Sequence, residues 1–346
     1  MKPKFASIIG IKPGSVIIGM VAGVTVLLAS LSVQAGKFSL EGIKGEDNRL
    51  TVTADEYPWS AIGRVNKPGG FCTGTLIGPR LVLTAAHCLW NRETRNFMPA
   101  QGLHFVAGYQ RGTYIAHSSA LEVHLAPDYI YRGKTGKISR SRDDWAVLVL
   151  AKDLGAIAGY LGVAPVTAAM FPNGPGGKTR IVTVQAGYSR DLQHVLSSHL
   201  NCDLLGFLPN VELIAHACDA ISGDSGAPIF TYDQGTFRVV GIHVATSRGA
   251  KKTIGVSVPS SRFVKKVRSL RLSNASAKQS FPPGREPITA PRPPRETVKV
   301  LLKNMGYSLD SGDESAIRAY QKKAGLRVTG LATADLLGHL IQSLGQ

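Results

Sequence analysis

Acidic residues are scarce in this 346-residue chain: 23 Asp and Glu stand against 40 Lys and Arg, for a formal net charge of +17. The shortage is steepest from Arg248 to Arg295, where Glu286 is the only acid, while residues 297–346 are close to neutral. Such an excess raises anionic partners such as nucleic acid, a membrane surface or a cell wall. The basic run has no interleaved aromatics and no nucleic-acid motif, so nucleic acid is not expected as a partner. It reads instead as a solvated helix face followed by a charged, self-extending linker. Cysteine is sparse too. There are four, and no Cys-x-x-Cys pair occurs, which excludes the common zinc spacings; no metal site and no cofactor are expected. No long internal repeat is visible, which argues against a repeat architecture. With charged residues at only 18% and hydrophobic ones at 44%, most of the chain can build a packed core, and its length allows two to three domains.

What is present begins with an export signal. Lys2, Lys4 and Lys12 are the only charges in residues 1–35, and they precede the apolar run "SVIIGMVAGVTVLLAS" and the ending "LSVQA". A positive start, a hydrophobic middle and a small-x-small end describe a secretory signal peptide, with cleavage expected after Ala35. The alternative is a retained anchor, for which the run Val16 to Leu31 is short. After signal removal no stable membrane insertion is expected, and the protein is placed outside the cell or in the periplasm. Export puts the cysteines in an oxidising setting. Cys72/Cys88 and Cys202/Cys218 are sequential pairs, each sixteen positions apart. Four cysteines allow three connectivities. Sequential pairing is expected, and each loop closed is worth roughly 3 kcal/mol.

From Arg49 to about Val258, short strand-like runs alternate with Gly, Pro and Asn: "WSAIGRV", "GTLIGPRLVLTAAH", "HFVAGY", "WAVLVL", "RIVTVQAGY", "APIFTY", "FRVVGIHVA". Evenly spaced strands with turn signals predict an all-β sandwich or barrel, with room for two small barrels packed together. In "PSSRFVKKVRSLRL" the period changes, since Phe263, Val264, Val267 and Leu270 recur at helical spacing. Residues 273–296, rich in Pro and Ser, read as an extended linker. Residues 297–346 return to helical periodicity in three segments and predict a small all-α three-helix domain. The division is therefore 1–35 signal, 36–272 β domain, 273–296 linker and 297–346 helical domain.

Three short stretches carry chemistry. "LVLTAAHCL" puts His87 at the end of an apolar strand, "RDDWAVLVL" puts Asp144 just before another, and "CDAISGDSGAPIF" puts Ser225 in a tight turn. A hydroxyl is a poor nucleophile at neutral pH and needs a base in reach. An imidazole base in turn needs a carboxylate on its other nitrogen. One Ser, one His and one Asp on rigid elements are those parts. The fifth position from Gly223 is Ala227, so the Gly-x-Ser-x-Gly elbow of another hydrolase class is not met.

"TAAHC", "DWAVLVL" and "GDSGAP", in that order, resemble the signature blocks of the chymotrypsin/trypsin family of serine peptidases. "YPWSAIG" and "CTGTLIGPRLVLTAAHC" add to the likeness, which covers about 49–272. The resemblance implies a mainly β fold of two antiparallel six-stranded barrels with the site between them, and protein or peptide substrates. It implies Ser225 as nucleophile, His87 as general base and acid, and Asp144, not its neighbour Asp143, as the residue that orients His87. Gly223 and Ser225 would supply the N–H pair of the oxyanion hole. The Cys72–Cys88 pair has the spacing of the family's disulfide beside the histidine.

Specificity departs from the trypsin pattern. Asp219 lies six residues before Ser225, where trypsin-like enzymes hold a basic side chain, but Cys218 is shifted to seven before. "HACDAISGDSGAP" is closer to a bacterial branch that includes glutamyl endopeptidases, and His243 falls where those enzymes meet a substrate carboxylate. Asp219 argues for basic substrates and His243 for acidic ones, and both remain open. The usual Ile-Val-Gly-Gly start is missing. An Arg49–Leu50 bond lies near the expected activation point, yet Asp224 could be satisfied by another donor, so no obligatory cleavage is expected.

"LLKNMGY", "AIRAYQKKAGL" and "VTGLATADLL" resemble a helical peptidoglycan-binding domain, with Tyr307, Tyr320 and Gln321 near its groove or packing it. The whole reads as a secreted or periplasmic, wall-associated serine endopeptidase that binds peptidoglycan through 297–346. Its alternatives are a catalytically silent wall-binding scaffold and a peptidase acting on peptidoglycan cross-bridges.

Overall fold

The structure is a computed structural model and describes residues 40–130, 142–172, 181–248, 253–277 and 292–345. The expected signal segment, 1–35, and residues 278–291 of the expected linker lie outside the described residues.

After β1 (Leu50–Thr51) come β2 (Ile62–Lys67), β3 (Gly70–Gly78), β4 (Leu81–Thr84), β5 (Trp90–Asn91), β6 (Asn96–Phe97), β7 (His104–Ala107), β8 (Ala116–Leu125) and β9 (Ala146–Leu150). Hydrogen bonding closes β2, β3, β4, β9, β8 and β7, in that order, into a barrel. β4 and β9 are buried at every position, because one face fills the barrel while the other is covered by neighbouring structure. That double burial is why "LVLT" and "AVLVL" run apolar instead of alternating. Pro68 and Gly69 turn the β2–β3 hairpin, with Gly69 at φ 77°, as a Pro-Gly type II turn requires.

The second half holds β10 (Gly162–Val163), β11 (Thr183–Gly187), β12 (Ser197–Cys202), β13 (Leu204–Phe207), β14 (Ile214–His216), β15 (Pro228–Asp233), β16 (Thr236–Arg248) and β17 (Thr253–Pro259). With β1 they form a nine-stranded sheet of order β1-β12-β11-β15-β16-β17-β14-β13, and β10 pairs parallel to β16. The expected pair of closed six-stranded barrels is thus met in the first half only. In the second, β1 takes the outer edge of β12 and β13 ends the sheet, so the described pairings leave it open. The β15–β16 hairpin turns on Gln234 (φ 49°) and Gly235 (φ 74°), the doubly left-handed turn that matches strand twist.

The helices are α1 (Gly155–Ala158), α2 (Val264–Ala277), α3 (Arg295–Asn304), α4 (Asp313–Lys323) and α5 (Ala334–Ser343). Of the residues at helical spacing, Phe263, Val267 and Leu270 are buried at and just before α2, while Val264 is half-buried. α3–α5 dock on the β structure, and their Leu301, Leu337, Leu340 and Ile341 belong to one continuous core with Trp59 and Phe230. The buried Glu56 carboxylate accepts the Glu296 N–H (2.8 Å) at the start of α3, and Trp59 Nε1 donates to Thr297 Oγ1 (2.9 Å). Gln342 of α5 accepts the Val182 N–H (2.9 Å). Ser39–Gln346 is a single compact unit. Among the described residues no helix is long and apolar enough to cross a membrane.

Candidate active site

His87 sits on the one-turn helix Ala86–Leu89 that follows β4, and Cys88 beside it is bonded to Cys72 of β3. Two strands of the barrel therefore pin this turn. Asp144 immediately precedes Trp145 and β9, the strand paired with β4, so the barrel register brings it to His87. Its buried carboxylate holds the histidine twice: Oδ1 accepts the His87 main-chain N–H (2.8 Å), and Oδ2 lies 2.7 Å from Nδ1. This fixes the ring and leaves Nε2 for the cleft. Asp143 points elsewhere, paired with Arg262 and with Arg142 (3.2 Å).

Ser225 comes from the other half, in the tight turn before β15. Gly223 (φ 108°) and Gly226 (φ 83°) bracket it, and in both cases a side chain is excluded by contact as well as by conformation. A Cβ on Gly223 would fall 2.4 Å from Tyr188 O, and one on Gly226 2.4 Å from Thr73 O. The turn is tied across the cleft by the Thr73 N–H to Ser225 O (3.0 Å). The N–H groups of Asp224 and Gly226 bond to Ile221 O and His243 O. Those of Gly223 and Ser225 donate to no backbone acceptor among the described residues. His87, Ser225 and Gly223 line one cleft of about 390 Å³. Nε2 and Oγ make no direct hydrogen bond here, and such contacts often tighten only with substrate in place. Cys72, His87 and Cys88 cluster within 4.8 Å, but both sulfurs are spent in their mutual bond and hold no metal.

Behind the turn, Asp224 is buried. Ser189 Oγ (2.6 Å) and the Ile221 N–H (2.8 Å) donate to its Oδ2, and Oδ1 has no partner. Burial pushes its carboxyl up to about 6. Donors from within the chain thus occupy one oxygen without a freed N-terminus. The Arg49 guanidinium is clamped between Asp47 and Asp191 (2.7 Å each), and Leu50 is paired in β1.

Asp219 and His243 have different surroundings from those the motif suggested. Asp219 is 1% exposed, and its carboxylate accepts the N–H groups of Lys44 (2.8 Å) and Asn48 (3.1 Å). Segment 40–48 straps across the turn after the Cys202–Cys218 disulfide, and Lys44 Nζ donates to Gly42 O (3.0 Å) and Cys218 O. Burial brings the Lys44 amine down to about 8. His243, on β16, has Nδ1 3.0 Å from Nε2 of His216 on β14. Both rings are buried: burial, with lesser help from Lys44, lowers His243 to about 3, and burial, with lesser help from His243, holds His216 well below the ordinary range. His216 Nδ1 has no partner. A buried N–H left unbonded is costly, so the shared proton sits on His216 Nε2 and donates to His243 Nδ1. His243 then keeps its own proton on Nε2. Sequence reasoning passed over His216 and Lys44. Their one signal is that His216 stands two residues before Cys218; nothing local marks Lys44.

The trypsin family profile matches residues 48–267. The chain belongs to the trypsin family. It is 27% identical over 195 residues to a glutamyl endopeptidase of Bacillus licheniformis, covering 56% of each chain. It is 28% identical over 210 residues to venom serine protease 34 of Apis mellifera, covering 55% of this chain and 49% of that one. The chain therefore spans about half the length of these relatives. A solved Glu endopeptidase in complex with MPD superposes with a TM-score of 0.53 at 24% identity, over 66% of this chain and 99% of that one. That likeness is one of fold.

Proposed function

We propose that this trypsin-family chain is an exported serine endopeptidase that cleaves after acidic side chains. Ser225 Oγ attacks the scissile carbonyl while His87 Nε2 takes its proton, and Asp144 stabilises the imidazolium that forms. The N–H groups of Gly223 and Ser225 receive the oxyanion, and one such donor is worth about a hundred- to a thousand-fold in rate. His87 returns the proton to the leaving amine. Water, activated by the same imidazole, then hydrolyses the acyl-enzyme. The observation that carries this reading is the double hold of Asp144 on His87 in the cleft that also contains Ser225.

The acidic preference rests on His243 and Lys44. With Asp219 taken up by the strap, its charge is compensated, while His243 Nε2–H and the Lys44 ammonium favour a carboxylate. The similarity to glutamyl endopeptidase points the same way. Internally quenched peptides with Glu, Gln or Lys before the scissile bond test it: Glu should exceed Gln by about tenfold in kcat/KM, the worth of one charge-assisted hydrogen bond. A Lys preference would overturn the acidic reading, and no cleavage at all would favour a silent scaffold.

Residues 297–346 are the proposed wall-binding element, on the strength of their sequence resemblance. Because α3–α5 share the core, the intact chain should be tested by co-sedimentation with purified peptidoglycan. Retention in the pellet is expected, and a chain left in the supernatant would refute wall binding. Muropeptide release in the same tube would instead favour peptidoglycan cross-bridges as the substrate.

A further inference from the structure

A second cavity, of about 570 Å³, opens beside the oxyanion donors and shares Lys67, Phe71, Arg190 and Gly223 with the catalytic cleft. Its charged lining is entirely cationic: Arg64, Lys67 and Arg190. Glu93 lines the neighbouring cleft only, and Asp191, next to Arg190, is already paired with Arg49. Arg64 is held in place from three sides. Its guanidinium lies 4.0 Å from the Phe71 ring centre and 4.9 Å from that of Tyr109, and Nη1 donates to Gln193 O (3.2 Å). The edge carrying Nε remains. Arg64 Nε is a buried donor without a partner, and Asn66 Oδ1, also on β2 and lining the same cavity, is a buried acceptor without one. Buried polar atoms are rarely left unbonded, and two of opposite kind in one cavity point to a ligand that offers both an acceptor and a donor.

We propose that this cavity binds an acidic side chain of the substrate's leaving segment, within the first three residues after the scissile bond. The proposal rests on the serine endopeptidase reading above. His87 hands its proton to the leaving amine, so that segment departs past His87 and Cys72 of the catalytic cleft, whose lining residues Lys67, Phe71 and Gly223 also line the cavity. A carboxylate matches the unpartnered guanidinium edge in bidentate fashion, with Lys67 adding charge. A main-chain N–H of the same extended segment satisfies Asn66 Oδ1. The enzyme then reads anionic residues on both sides of the bond it cuts.

Internally quenched peptides differing only in Glu or Gln at each of the first three leaving-side positions test this with the intact chain. At one position Glu should raise kcat/KM about tenfold over Gln, with the gain falling to near one in Arg64→Gln and shrinking in Lys67→Gln. Ratios near one at all three positions, or a tenfold ratio that survives Arg64→Gln, would overturn the proposal. The second readout is calorimetric binding of the leaving-side tripeptides to Ser225→Ala protein, where Glu should bind several-fold tighter than Gln. Equal binding would contradict the proposal even if no variant cuts. Cleavage of Gln peptides without a Glu advantage sinks this site and spares the endopeptidase reading. Tighter Glu binding without any cleavage does the reverse.

Discussion

The closed barrel and the nine-stranded sheet contribute to the cleft in different ways. The barrel supplies His87 and Asp144 from turns fixed by adjacent strands and a disulfide, and the pair is bonded at two points within a continuous hydrogen-bonded ring. The open sheet supplies Ser225 and Gly223 from a turn, and outside segments pack on it: the strap 40–48 covers Asp219, and α5 lies against Val182 and β15. Proton transfer tolerates little error in geometry, whereas the proposed acidic preference before the scissile bond draws on Lys44, a charge that the strap brings in. A barrel turn is set by residues adjacent in sequence, and an imported strap is not.

The sharpest way to test that division is to strike each side in turn. Ser225→Ala, on the sheet, should lower kcat about a million-fold, as removal of such a nucleophile does. Asp144→Asn, on the barrel, should lower it about 10⁴-fold, the loss the serine-peptidase archetype suffers for the same change. Stopped assays on one peptide check both. Gly223→Ala should cost about a hundred- to a thousand-fold in kcat with the fold retained by circular dichroism, since a Cβ would meet Tyr188 O and displace an oxyanion donor. Equal, small effects from all three would erase the distinction between the halves.

Two further changes concern stability. Asp224 titrates near 6 in the folded chain, above the ordinary value of 3.8, because it is buried. A carboxyl with a raised pKa favours folding while protonated. Its contribution is complete below about pH 4 and is lost as pH rises through 6, on the order of 3 kcal/mol at most. Urea unfolding should show this fall between pH 4 and 6 in the native chain and a flatter profile in Asp224→Asn. The smallest expected effect is Glu56→Ala, which uncaps α3 and should cost about 1–2 kcal/mol. Hydrogen exchange should then speed up across 295–304 and 334–343 while the barrel strands stay protected. Uniform loosening would mean that the docked helices and the sheet melt as one.

The strands, the terminal helices and the three chemistry-bearing stretches were legible because each rests on neighbours in sequence. "LVLTAAHC" contains its own strand and turn, and Gly-Asp-Ser-Gly contains its own left-handed positions. What escaped was long-range. Lys44 meets Cys218 only because a segment 174 residues away in sequence crosses the turn. His216 matters only because β14 and β16 both flank β17. Asp219 looked like an open acid because sequence does not show the two main-chain N–H groups that cover it. α3 begins at Arg295 rather than after 296, capped by Glu56 from across the fold. The second barrel stays open for a similar reason, since β1, more than 140 positions away, occupies the edge of β12.

Covalent labelling tests directly whether Ser225 is an activated nucleophile. The intact chain, treated with a fluorophosphonate at neutral pH, should carry one adduct, located by peptide mass mapping on Ser225 and absent from Ser225→Ala and His87→Ala. No adduct, or an adduct on another serine that persists in Ser225→Ala, would contradict the account.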